Sequence, residues 1–264
     1  MKVYCVQLNV QWENKTANFN RVEELLRGVF PARYSLVLLP EMFASGFTMN
    51  LEAAADSDKR ETEAFLCYLA KEFEIYVLGG LVSKTTNGRG HNQAVVFSPA
   101  GKRIATYTKI QPFTLGGEAT SYSAGHELVT FQWEGITVAP YICYDLRFPE
   151  VVRPSALNGV QLLTFIASWP EKRIQHWMKL LQARAIENQC YVAGANRIGD
   201  DPFHHHPGRS LIVDYMGEVI ADAGEKETVI NATLNTDHLA EYRKGLPFLQ
   251  DIRPDFLTSD SMKF

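Results

Sequence analysis

No run of about 18 consecutive apolar residues occurs in the 264-residue chain, so no transmembrane helix is expected. Nor is there a block of lysine or arginine. The 26 basic residues face 30 acidic ones, a net charge of −4, which leaves nothing to neutralise a phosphate backbone. Neither nucleic acid nor a membrane is therefore an expected partner. Cysteine is scarce and scattered: Cys5, Cys67, Cys143 and Cys190 show no CxxC spacing. Gly79-Gly80 and Gly116-Gly117 lack the strand–GxGxxG–helix setting of a nucleotide site. Met1-Lys2-Val3-Tyr4-Cys5-Val6-Gln7 alternates like a strand and lacks the unbroken apolar core of a signal peptide. Scattered thiols without an export signal predict a reduced, cytoplasmic protein. His204-His205-His206-Pro207 has no acidic or cysteine partner at ligand spacing, so it reads as a solvated loop, with no metal and no cofactor expected.

What is present is an ordinary globular pattern with no linker-like stretch. It suits one large α/β domain over residues 1–264, with about 245–264 as a carboxyl-terminal tail. A strand is expected over about 2–10. A helix follows over about 15–29, with Phe19, Val22, Leu25, Leu26 and Val29 at helical spacing. Ser35-Leu36-Val37-Leu38-Leu39 and Ile75-Tyr76-Val77-Leu78-Gly79-Gly80 are short, fully apolar runs typical of buried parallel strands. Between them, Asp58-Lys59-Arg60-Glu61 predicts a capping box at the start of a helix carrying Phe65, Leu66, Leu69 and Phe73. Residues 94–105 and 211–221 read as hairpins, and Phe97–Ala105 and Val213–Ala221 share a turn glycine and a closing Ile-Ala. A strand over Leu162–Ala167, a helix over about 171–189 and a strand over Tyr191–Asn196 complete a second half. The two halves suggest two sheets packed face to face with helices outside.

Three strand ends carry reactive side chains. Glu41 follows the run Leu36–Leu39, Lys109 follows Arg103–Tyr107, and Cys143 follows Ile136–Ile142. The carboxyl ends of strands are where α/β sheets place their ligand crevice. The start of a helix after Cys143 would also favour a thiolate there. Together the three define a chemistry. A carboxylate takes the thiol proton, the sulfur attacks an amide carbonyl, and Lys109 with the backbone N–H of Tyr144 receives the oxyanion. Glu41 then protonates the departing amine and activates water against the thioester. No histidine is required.

Leu-Pro-Glu41-Met-Phe, Tyr-Thr-Lys109-Ile and Ile-Cys143-Tyr-Asp-Leu-Arg-Phe-Pro-Glu resemble, in order and spacing, the Glu–Lys–Cys motifs of the nitrilase superfamily of carbon–nitrogen hydrolases. The resemblance covers about residues 1 to 245 and extends to Leu181–Val192. It implies an α-β-β-α sandwich that dimerises helix face to helix face. It also implies a second active-site glutamate at Glu118, in Gly116-Gly117-Glu118-Ala119-Thr120, orienting the substrate and the lysine. Within the superfamily the chain is most similar to bacterial omega-amidases, on the strength of Ala167-Ser168-Trp169-Pro170-Glu171-Lys172-Arg173 and Tyr242–Leu249. That subgroup places Trp-Pro-x-x-Arg beyond the nucleophile, so Ser168, Trp169 and Arg173 should border the pocket. Ser168 departs from the asparagine more often found there.

The resemblance implies hydrolysis of small omega-amido acids such as 2-oxoglutaramate or 2-oxosuccinamate. The alternative is an amidase acting on deaminated glutathione or N-carbamoyl amino acids. A carboxylate-bearing substrate needs a cation or a nest of backbone N–H groups, and Arg147 and Arg173 are the candidate cations. Against this, Arg147 is read somewhat in favour of an ion pair with Asp145 or Glu150, and Arg173 sits at a helix start, where a cation opposes the dipole. Two further classes stay open: a metal-dependent phosphoesterase, and a scaffold that kept the fold without turnover.

Overall fold

Sheet and helix periodicities divide the chain into two halves of one design. The structure, a computed structural model, describes residues 1–253; residues 254–264 of the expected tail lie outside the described residues. The first half runs β1 (Lys2–Gln7), α1 (Lys15–Val29), β2 (Leu36–Leu38), α2 (Leu51–Ala54), α3 (Glu61–Glu72), β3 (Tyr76–Lys84), β4 (Gly90–Phe97) and β5 (Arg103–Thr108). After α4 (Glu118–Ser121) come β6 (Phe131–Trp133), β7 (Ile136–Ile142), α5 (Pro149–Leu157), β8 (Leu162–Ala167), α6 (Ile174–Asn188) and β9 (Tyr191–Asn196). A small hairpin, β10 (Ile198–Asp200) and β11 (His205–Pro207), precedes β12 (Leu211–Val213), β13 (Val219–Asp222), β14 (Thr228–Thr233) and α7 (Thr236–Gly245).

One sheet has the order β14-β1-β2-β3-β4-β5, the other β13-β12-β9-β8-β7-β6. In the first, β1, β2 and β3 are parallel and β4–β5 adds an antiparallel hairpin. In the second, β7, β8 and β9 are parallel and β12–β13 adds the hairpin. The nine-residue echo falls on these two equivalent hairpins.

Strand alternation assigns the faces. Val3, Cys5, Leu36, Leu38, Leu78 and Val96 join Val138, Leu163 and Phe165 of the second sheet in one core. Their neighbours Tyr4, Val6, Val37, Leu39, Val77 and Val95 face the other way, onto Val22 and Leu26 of α1 and Leu66 and Leu69 of α3. Trp177, Leu181 and Ala185 of α6 cover the second sheet. The result is the expected four-layer α-β-β-α sandwich. Each such side chain, fully buried, contributes roughly 1.5–3 kcal/mol.

Two details differ from the sequence reading. β1 ends at Gln7 rather than near residue 10. The cap of α3 is not Asp58. Asp56 accepts the Thr62 and Glu63 N–H groups, both at 3.0 Å, and Glu61 reaches back to Ser57 N at 3.0 Å. Arg60, at φ 52°, turns the chain between them and carries Asp58 away from the helix end.

Glycine decides how closely the site is built. A Cβ on Gly80 would lie 2.3 Å from Met42 N and 2.8 Å from Pro40 O, so only glycine lets the Glu41 segment cross β3. The role found for Gly80 is thus backbone approach.

Candidate active site

Glu41, Lys109 and Glu118 arrive on three separate segments and bond to one another. Lys109 Nζ donates to Glu41 Oε1 and to Glu118 Oε2, each at 2.8 Å. Asn92, on β4, donates through Nδ2 to Glu41 Oε1 at 2.7 Å and to Glu118 Oε1 at 2.8 Å. Phe113 N adds a 2.6 Å bond to Glu118 Oε2, and Ser168 N a 3.0 Å bond to Glu41 Oε2. All four side chains are buried. Burial opposes the charge of Lys109, but Glu118 and Glu41 outweigh it and raise the lysine pKa, so it remains an ammonium.

Cys143 opens a 3₁₀ turn, Cys143–Arg147, at the carboxyl end of β7. Its φ of 45° is left-handed, an unfavourable backbone state for a residue with a Cβ, and it coincides with the turn. The side chain is half-buried and lines a cavity of about 620 Å³ together with Glu41, Tyr144, Ser168 and Trp169. Burial first, then the negative charge of Glu41, push the thiol pKa well above the ordinary cysteine value. Lys109 and the Ser168 N–H pull the other way and do not prevail. That direction opposes the pull toward a thiolate expected of the adjoining helix start.

The cavity lining also holds two guanidiniums, Arg147 and Arg173. Arg147 lies 4.7 Å over the Trp169 ring and meets His176 Nδ1 at 3.3 Å. Arg173 lies 5.3 Å over the Phe113 ring. Neither guanidinium has a carboxylate within ion-pair distance among the described residues, so the expected pairing of Arg147 with Asp145 or Glu150 does not form. Asp145 is instead consumed elsewhere: it accepts Tyr107 Oη at 2.8 Å, Gln111 N at 2.9 Å and Ile142 N at 3.0 Å. Burial of Arg147 and the nearby charge of Arg173 lower the Arg147 pKa. Arg173 itself closes the 3₁₀ turn Glu171–Arg173 ahead of α6, and its carbonyl accepts Trp169 Nε1 at 2.8 Å.

Comparison with known proteins places this arrangement. The carbon–nitrogen hydrolase profile matches residues 2–244. The chain belongs to the carbon–nitrogen hydrolase family. This hydrolase is 34% identical to the 2-oxoglutaramate amidase of Bacillus subtilis over 254 residues, covering 96% of this chain and 98% of that one. It is 36% identical to the omega-amidase YafV of Escherichia coli, with 95% and 96% covered. A solved CN-hydrolase superfamily protein of Xanthomonas campestris superposes with a TM-score of 0.90 at 31% identity, covering 96% of this chain and 97% of that one.

The structure of this carbon–nitrogen hydrolase brings every sequence-predicted site residue to one place. Glu41, Cys143, Tyr144, Arg147, Ser168, Trp169 and Arg173 line the cavity, and Lys109 and Glu118 bond directly behind Glu41. The histidine loop is a correction. His206 is only 2% exposed, lines the same cavity and meets Asp201 Oδ2 at 2.8 Å through Nε2, because the β10–β11 hairpin folds it inward. His204 and His205 stay exposed. Among the described residues no group of three or more His, Cys, Asp or Glu is placed to hold a metal. Sequence reasoning missed Asn92 as a site residue. Asn92 stands between His91 and Gln93, so nothing in the sequence singles it out from its polar neighbours. It also missed Asp145 as a tie between the Lys109 loop and the Cys143 turn.

Proposed function

We propose that this carbon–nitrogen hydrolase cleaves the terminal amide of small omega-amido acids, 2-oxoglutaramate and 2-oxosuccinamate, to the dicarboxylate and ammonia. The observation that carries the substrate class is the pair Arg147 and Arg173, facing the Cys143 cavity with no carboxylate of their own. Two unpaired guanidiniums in a part-apolar pocket suit a substrate carboxylate. The names borne by its relatives point the same way.

In this reading the substrate carboxylate meets Arg147 and Arg173, and its amide end lies against Cys143 with Trp169 and Ser168 beside it. Glu41 removes the proton from Sγ as the sulfur attacks the carbonyl carbon, because a neutral thiol is a poor nucleophile. The developing oxyanion is stabilised by Lys109 Nζ and the Tyr144 N–H, while Glu118 holds the lysine in place. Glu41 passes its proton to the nitrogen, the C–N bond of the tetrahedral adduct breaks, and ammonia departs to leave the thioester. Water deprotonated by Glu41 then attacks the thioester, the C–S bond breaks, and the proton returns from Glu41 to the sulfur as the second carboxylate leaves.

One domain over residues 1–264, with about 245–264 as a carboxyl-terminal tail, is proposed with this, and a cytoplasmic setting, supported by four free cysteines. No described helix is long and apolar enough to cross a membrane. A homodimer is proposed through the face carrying α5 and α6, supported by exposed Leu157, Ile186 and Met216.

Cys143→Ala tests the reaction. Ammonia release from 2-oxoglutaramate should fall on the order of 10⁴-fold or more in kcat, with the thermal midpoint little changed. Retained turnover would end the proposal. For the wild type, a panel of omega-amides, carbamoyl amino acids, a deaminated glutathione analogue and nitriles should rank the omega-amido acids first.

A further inference from the structure

A carboxylate offers about four lone-pair positions for hydrogen bonds. On Glu41, Oε1 is taken by Lys109 Nζ at 2.8 Å and Asn92 Nδ2 at 2.7 Å. On Oε2, Ser168 N takes one position at 3.0 Å. One position remains, on Oε2, the oxygen on the Ser168 side, and Ser168 lines the cavity with Cys143.

We infer that Asn92 is a positioning residue for proton transfer: it closes Oε1 of Glu41 so that the single open lone pair is the one offered to the Cys143 proton. This rests on the role of Glu41 proposed above. The same amide nitrogen also donates to Glu118 Oε1 at 2.8 Å, so Asn92 and Lys109 bridge the two carboxylates from separate positions. A neutral donor is the chemistry required. A second cation would add charge the reaction does not use, and a hydroxyl has one proton for two acceptors. The backbone joins in, since Asn92 O accepts Lys109 N at 2.9 Å and sets the register between the two bridging residues.

Two observations separate this from simple packing. Asn92 Oδ1 is buried with no hydrogen-bond partner, an unfavourable state normally avoided, so the side chain is held by its carboxylate side alone. Asn92 does not line the cavity, and its substitution therefore leaves substrate contacts in place.

The test compares wild type, Asn92→Ala and Asn92→Leu. Asn92→Leu keeps the approximate size and removes the donor without adding charge. Both variants should lose about 100-fold in kcat with KM within about threefold. The pH dependence of Cys143 alkylation by iodoacetamide should change in the same variants, a readout independent of any substrate. If Asn92→Leu keeps the kcat and the alkylation profile of the wild type, the inference is overturned. A loss confined to KM overturns it as well. Should Asn92→Ala not fold, Asn92→Ser carries the comparison, with a melting curve for each protein. A wild type that hydrolyses no amide, yet shows the altered alkylation profile on losing Asn92, sinks the substrate reading and leaves this inference standing.

Discussion

Asp145 shows how much one buried carboxyl can do. Burial raises its pKa to about 6, even though the Ile142 N–H, Lys109 and Tyr107 all favour the charged form. A carboxyl whose folded pKa lies above its unfolded value binds its proton more tightly in the native state. Its contribution to stability is therefore full below about pH 4 and lost as pH rises through about 6. The size is on the order of 3 kcal/mol. Asp145→Asn should flatten this part of the pH–stability curve, measured by urea unfolding at pH 4.5 and pH 7. An unchanged slope would mean that another group titrates there. The same residue ties Gln111, two residues past Lys109, to Ile142, one residue before Cys143. Only the Cys143 side of that tie was readable from the motif. The Lys109 side needed the partner distances.

At the scale of elements, strand ends explain why the site was partly legible. A short apolar run ending in a polar residue marks both the strand and its edge, and Glu41 and Cys143 carry that mark, while Lys109 follows the alternating strand Arg103–Thr108. Turn geometry hides more. Asp58 has the right spacing for a cap, yet the left-handed Arg60 hands that role to Asp56, which also meets Lys15 Nζ at 3.2 Å. Asp56→Ala should therefore cost about 1–2 kcal/mol, the usual range for a lost helix cap. Asp58→Ala should stay within about 0.5 kcal/mol, as for other exposed positions. Equal losses in urea unfolding would reject the assignment. The β10–β11 hairpin is the second case: three adjacent histidines look alike in sequence, and only the fold buries His206, while His204 lines the same cavity exposed and His205 is exposed.

For the whole molecule, the outward faces carry the next prediction. Ile186 on α6 packs beside Gly217 in the turn between β12 and β13, where a Cβ would lie 2.5 Å from its side chain, and Met216 is exposed next to it. Light scattering after gel filtration should give a mass near twice that of one chain, and Ile186→Glu should shift it toward the monomer. A wild type that is monomeric at micromolar concentration would remove the homodimer proposal.

By itself the sequence determined the two-sheet sandwich and the order in which acid, amine and thiol appear at strand ends. Both are encoded locally, in two-residue and 3.6-residue repeats and in the residue that ends each run. Tertiary structure alone decided that burial pushes the Cys143 thiol pKa up, that Arg147 and Arg173 have no carboxylate partner among the described residues, and that Asn92 joins both glutamates. Those outcomes depend on burial and on contacts between residues as far apart in sequence as Glu41 and Ser168, 127 positions. Desolvation and hydrogen-bond geometry come into being only when the chain closes around them.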